Sequence, residues 1–193
     1  MANTSEHPIL VILSPGFEET EAITVIDILR RAQFKVVTAS LEDNAAVMGS
    51  HKIVVMADAT MSEIYDQSFS AIVLPGGMKG VENMLASAQL LDLVKRMSDE
   101  NKTIAAVCAA PLVLDKLGLL KPNQFTCHPC IYDRLQTPID LCDKGISAPH
   151  VSAGNIITGR SAGCAMVWAL ALVKHLAGSY DSLLNGLRLP TQS

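Results

Sequence analysis

A cysteine where a buried strand turns into a helix is the first residue of this chain with chemistry to offer. Thr103-Ile104-Ala105-Ala106-Val107 reads as a short buried strand, and residues 112–120 as an apolar helix with Pro111 in its first turn. Cys108 falls at the turn between them. Free backbone N–H groups at a helix start, and the positive end of its dipole, favour a thiolate there. Such a thiol is a nucleophile. The other reading is a packed cysteine behaving as a small hydrophobe.

Candidate partners come from three other segments. Glu18, Glu19 and Glu21 open a helix that follows a different buried strand. Carboxylates in a first turn ordinarily serve the helix dipole, which suits Glu18 and Glu19. Glu21 lies further in; if buried, it holds its proton and hydrogen-bonds to Cys108. Pro75-Gly76-Gly77 leaves a third strand, where glycines let the backbone approach a ligand. With the N–H of Ala109, that loop offers donors to the oxyanion formed when a thiolate attacks a carbonyl. It lacks the fuller Gly-x-Gly-x-x-Gly phosphate pattern. His128, just before Pro129, suits a general acid or base near neutral pH. His7, His51, His150 and His175 have no comparable setting, and His175 reads as a cation at a helix end.

Two patterns point elsewhere. Cys127-His128-Pro129-Cys130 has Cys-x-x-Cys spacing, which leaves a disulfide open, but zinc would call for a second pair and none follows. Gly159-Arg160-Ser161-Ala162-Gly163 matches the serine-elbow pattern Gly-x-Ser-x-Gly. A hydrolase of that kind needs its acid and then its histidine after the serine; here His175 precedes Asp181.

The elements that must position these residues are legible as apolar runs. Residues 9–13, 35–39, 71–74 and 103–107 read as buried strands, and 18–32, 90–97, 165–176 and 179–187 as helices. Residues 43–57 suggest a hairpin turning at Gly49, Phe125 and its neighbours a short strand, and 146–158 a second hairpin around Ala153-Gly154. Alternation of strand and helix predicts one α/β domain, residues 1–193, with a mostly parallel sheet covered on both faces. Ligands then sit beyond the carboxyl ends of the strands, where the loops starting at Pro15, Pro75 and Cys108 emerge.

Composition narrows the function. The 193 residues are 49% hydrophobic and 18% charged, with net charge −4 and 4% aromatics. There is no basic face for nucleic acid or anionic lipid, and little for base stacking. No apolar run approaches the roughly 20 residues a membrane span needs, and residues 1–8 carry no signal core. Five cysteines in a chain this long do not look like a disulfide framework. Together these predict a cytoplasmic protein.

With these residues in hand, the chain resembles the ThiJ/PfpI superfamily, and within it the branch of the parkinsonism-associated deglycase and bacterial YajL-type proteins. The carriers are Pro15-Gly16-Phe17-Glu18-Glu19-Thr20-Glu21-Ala22, Val73-Leu74-Pro75-Gly76-Gly77, Ala105-Ala106-Val107-Cys108-Ala109-Ala110-Pro111 and Cys127-His128-Pro129. The resemblance implies a flavodoxin-like three-layer sandwich, a homodimer, and no cofactor or metal. It implies that Cys108 is an oxidation-prone nucleophile on a strained elbow, hydrogen-bonded by Glu21 and neighboured by His128. Glu18, Gly76, Gly77 and Ala109 would form the substrate and oxyanion pocket.

The activity implied is that of a glyoxalase or deglycase acting on methylglyoxal, glyoxal or glycated protein. A redox sensor or chaperone with Cys108 oxidised to a sulfinate is the alternative. Three departures bear on this. Ala109 stands where the protease-like branch has a histidine, which speaks against a peptidase. His51 replaces an arginine near the dimer partner's pocket. Ser161-Ala162-Gly163 replaces a glycine-proline-glycine turn.

Overall fold

The computed structural model describes residues 7–140 and 146–188; the N-terminal residues 1–6 and Cys142 lie outside them. The first strand, β1 (Ile9–Leu13), is buried along its whole length because both of its faces are covered. Leu10 and Ile12 point into one core, and Ile9, Val11 and Leu13 into the other, as the period of two dictates. Helix α1 (Glu19–Arg31) follows, then β2 (Val36–Ser40), the hairpin β3 (Ala46–Met48) and β4 (Val54–Met56), β5 (Ala59–Thr60) and the short α2 (Met61–Ile64). β6 (Ala71–Leu74), α3 (Met78–Ala86), α4 (Ala88–Asp99), β7 (Thr103–Val107) and α5 (Pro111–Lys116) form the middle of the chain. After a 3₁₀ turn over Pro129–Arg134 come β8 (His150–Ala153), β9 (Ile156–Gly159), α6 (Ala165–Ala177) and α7 (Asp181–Leu187).

Seven strands form one sheet in the order β5-β2-β1-β6-β7-β9-β8, parallel except for the antiparallel β8–β9 pair. α1 and α6 cover one face, and α2 to α5 the other, giving the expected three layers. The β3–β4 hairpin stands apart as its own two-stranded sheet. No helix among the described residues is long and apolar enough to cross a membrane.

Three expectations change. No strand forms around Phe125: the Thr126 N–H is taken by the Thr158 hydroxyl at 2.9 Å, so a side chain replaces a ladder bond. The helix after Cys108 stops at Lys116, four residues short, where Gly118 takes φ +68°. Helix α3 was not anticipated. Met78, Val81, Met84 and Leu85 have helical spacing, but Gly77 and Gly80 obscure it in sequence.

Candidate active site

Parallel register brings the carboxyl ends of four strands side by side. Leu74 pairs with Ala106, and Val107 with Gly159. Beyond them the Cys108 N–H continues the ladder to the Gly159 carbonyl at 2.9 Å. The chain must then turn at once into α5, and Cys108 takes φ +63°, a left-handed conformation that side chains other than glycine rarely adopt. Holding it costs about 1–2 kcal/mol, and strain of this kind gathers at functional sites. The cysteine is half-buried. Ser161, the rival nucleophile, has φ −171°, ordinary extended backbone, and among the described residues its hydroxyl meets the Cys164 sulfur at 3.9 Å. The strained elbow belongs to the cysteine.

Glu21 arrives from the first turn of α1. It is fully buried, and Oε2 accepts the Gly76 N–H at 2.8 Å. Oε1 is buried without a conventional hydrogen-bond partner, and the Cys108 thiol is a side-chain hydrogen-bond partner of the carboxyl. Burial pushes the Glu21 carboxyl up to about 7, against the pull of the Gly76 N–H, and the Glu18 charge adds to the rise. Gly76 makes the meeting possible: a Cβ there would stand 2.6 Å from Glu21 Oε2 and 2.7 Å from Cys108 Cβ. Gly77, at φ +89°, presses so closely on the first loop that a Cβ would lie 2.3 Å from the Gly16 carbonyl oxygen. Glu18 N–H to Gly76 O, at 3.0 Å, ties the same two loops.

The thiol itself is not depressed as the turn position suggested. Burial pushes Cys108 up, and the Glu21 charge pushes it further; only the Gly77 N–H pulls the other way. A six-residue α5 supplies too little dipole to reverse this. The thiol and the carboxyl therefore form one unit in which ionising either resists ionising the other.

His128 comes to Cys108 through its backbone, donating its N–H to the Cys108 carbonyl at 2.8 Å. Its ring Nδ1 accepts the Cys130 N–H at 3.1 Å, capping the 3₁₀ turn. The neutral ring thus carries its proton on Nε2, and Nδ1 is not free to act as a base. Ala109 is buried directly behind the cysteine. Glu18 is spent mainly as the N-cap of α1, its Oε2 accepting the Glu21 N–H at 2.7 Å.

His51, which had no evident setting in the sequence, has one. Its Nδ1 lies 2.9 Å from Glu19 Oε2 and its N–H donates to Oε1 at 2.6 Å; Ser50 Oγ and the Ile53 N–H also donate to Glu19. These donors hold Glu19 down at about 2 despite burial, and the Glu19 carboxylate in turn raises His51 above its ordinary value. Glu19 is therefore a clamp on the hairpin turn as well as a first-turn carboxylate. Glu18, Glu19 and His51 also bring ligand-type atoms within 4.8 Å of one another. Both Glu19 oxygens are already engaged, so a cation there would cost the hairpin its clamp.

The DJ-1/PfpI family matches residues 7–175. The chain belongs to that family. The DJ-1/PfpI relatives include protein dj-1beta of Drosophila melanogaster, 37% identical over 169 residues, covering 88% of this chain and 89% of that one. Protein DJ-1 homolog A of Arabidopsis thaliana is 37% identical over 180 residues, covering 92% of this chain but only 44% of that protein. The chain thus spans less than half the length of the Arabidopsis relatives it matches. A deglycase of Pyrococcus abyssi is 28% identical over 171 residues, covering 87% of this chain and 98% of that one. The crystal structure of Drosophila melanogaster DJ-1beta superposes with TM-score 0.86 at 34% identity, covering 95% of this chain and 98% of that one. The DJ-1/PfpI fold is the flavodoxin-like sandwich described above.

Proposed function

We propose that this protein is a cysteine-dependent enzyme acting on small reactive dicarbonyls or on the adducts they leave on proteins. The observation that carries the proposal is the strained Cys108 elbow beside a buried Glu21 carboxyl that titrates near neutral pH. The likeness to a deglycase of Pyrococcus abyssi supports it. With methylglyoxal, the Cys108 sulfur adds to the aldehyde carbon while its proton passes to Glu21, giving a hemithioacetal whose oxygen the Gly77 and Ala109 N–H groups face. Glu21 returns the thiol proton to the adduct oxygen, and the carboxylate so regenerated carries the carbon-bound proton to the neighbouring carbon, converting the hemithioacetal to a lactate thioester. Water releases lactate and restores the thiol. One carbon is oxidised as its neighbour is reduced, so the sequence balances without an external electron carrier. A general base works best with a pKa near the working pH, which is where Glu21 lies. His128 assists as an Nε2–H donor. Lactate appearing in proton NMR spectra of the purified protein with methylglyoxal is the expected result; its absence would sink the reading.

A second reading rests on the same carboxyl. When protonated, Glu21 is placed to hydrogen-bond a Cys108 sulfinate, which suits a redox sensor or chaperone. We also propose that the protein works as a homodimer in the cytoplasm. Ile23, Met48, Ile53, Val54 and Met56, all exposed around the hairpin and α1, supply an apolar face for a second copy.

A further inference from the structure

The Cys127–Cys130 spacing invites a disulfide between those two residues, but their surroundings differ. Cys127 is fully buried, and burial pushes its thiol up to about 12. Its side chain presents no surface to solvent, which closes it to a peroxide and to a partner thiol. Cys130 is exposed, at the start of the 3₁₀ turn. Two hydrogen bonds relay its backbone to the elbow: Cys130 N–H to His128 Nδ1 at 3.1 Å, and His128 N–H to the Cys108 carbonyl at 2.8 Å. A charge on Cys130 also contributes, as the smallest of several causes, to raising the Cys108 thiol. Of the other described cysteines, Cys164 is half-buried and engaged by the Ser161 hydroxyl.

We propose that Cys130 is the resolving thiol for an oxidised Cys108, so that a hydroperoxide converts this site reversibly to a Cys108–Cys130 disulfide. The inference rests on the reactivity assigned to Cys108 above. In the first step the Cys108 sulfur attacks a peroxide oxygen; the O–O bond breaks, a sulfenic acid forms, and the peroxide leaves as an alcohol or as water. In the second, the Cys130 sulfur attacks the Cys108 sulfur; the S–O bond breaks and the hydroxyl departs with a proton as water. A reducing thiol returns both cysteines to the starting state. His128 positions the arrangement because its Nδ1 caps the turn that carries Cys130. The consequence is protection: a sulfenic acid captured this way does not proceed to the irreversible sulfinate.

The test is a small excess of hydrogen peroxide, at least two equivalents per chain, on the full chain, followed by intact mass and non-reducing peptide mapping, for wild type, Cys130→Ser and Cys127→Ser. Wild type and Cys127→Ser should each lose two hydrogens, map a Cys108–Cys130 bridge, and recover with dithiothreitol. Cys130→Ser should lose the bridge and instead gain two oxygens at Cys108, which dithiothreitol does not remove. A wild type that gains those oxygens as readily as Cys130→Ser overturns the proposal while leaving Cys108 reactive. A bridge from Cys130 to Cys127, or from Cys108 to any other cysteine, also overturns it. An unmodified Cys108 in all three proteins overturns both the proposal and the reactivity on which it rests.

Discussion

Glu21 Oε2 accepts the Gly76 N–H at 2.8 Å, and a Cβ on that glycine would stand 2.6 Å from the same oxygen and 2.7 Å from Cys108 Cβ. One residue thus fastens the glycine loop to α1 and, in the proposed mechanism, supplies the acid–base partner of the thiol. Its burial gives stability a definite pH dependence. The folded carboxyl keeps its proton up to about 7, whereas the unfolded one releases it near 4.5. Between those values the native state binds more protons, so stability falls as pH rises through the window and stays lower above it. The full effect is on the order of 3 kcal/mol. Glu21→Gln should flatten this dependence and raise the denaturation midpoint at pH 8. Chemical denaturation from pH 5 to 8 checks it; a variant as pH-sensitive as wild type would speak against a buried, protonated Glu21.

Gly76→Ala tests the meeting of loop, acid and thiol sterically. The added methyl group would lie 2.6 Å from Glu21 Oε2 and 2.7 Å from Cys108 Cβ. Overpacking of this kind costs about 1–3 kcal/mol. Displacing the two groups should lower dicarbonyl turnover by about a hundredfold. Kinetics alongside a thermal melt would separate the two effects.

The Glu19 clamp predicts an acid-sensitive hairpin. Its folded pKa of about 2 lies below its unfolded value near 4.5, so its stabilisation is present above 4.5 and is lost as pH falls towards 2. His51 is raised, so its share is present below its unfolded value of 6.5 and is lost as pH rises through its folded one. The pair therefore works best in mildly acidic solution. Glu19→Gln should speed amide exchange at His51 and Ile53 at pH 5 to 6; unchanged protection there would contradict the clamp.

Ser161→Ala should leave dicarbonyl turnover within about twofold of wild type, because single surface substitutions outside the machinery change little. A fluorophosphonate probe should leave Ser161 unlabelled. The extended backbone at Ser161 and the engagement of its hydroxyl with the Cys164 sulfur are the reasons.

The strands and the elbow were legible because their signals are local. Apolar runs at β1, β6 and β7 announce strands buried on both faces, and Cys108 stands at the break between strand and helix. Convergence of the Pro15, Pro75 and Cys108 loops followed from parallel topology alone. What escaped was long-range or contrary to a local cue. The Glu19–His51 pair spans 32 positions with no pattern linking them. The glycines around α3 read as loop, and the thiol's upward shift depends on how deeply the tertiary fold buries it beside Glu21. The sequence marks His128 only as a titratable side chain before a proline, and the fold shows its Nδ1 already spent on Cys130.

The most direct measurement is methylglyoxal conversion by wild type and by Cys108→Ala, with circular dichroism to establish that both are folded. Wild type should release lactate, and the variant should fall to the uncatalysed background. Equal rates from the two folded proteins would contradict the assignment of Cys108 as the nucleophile.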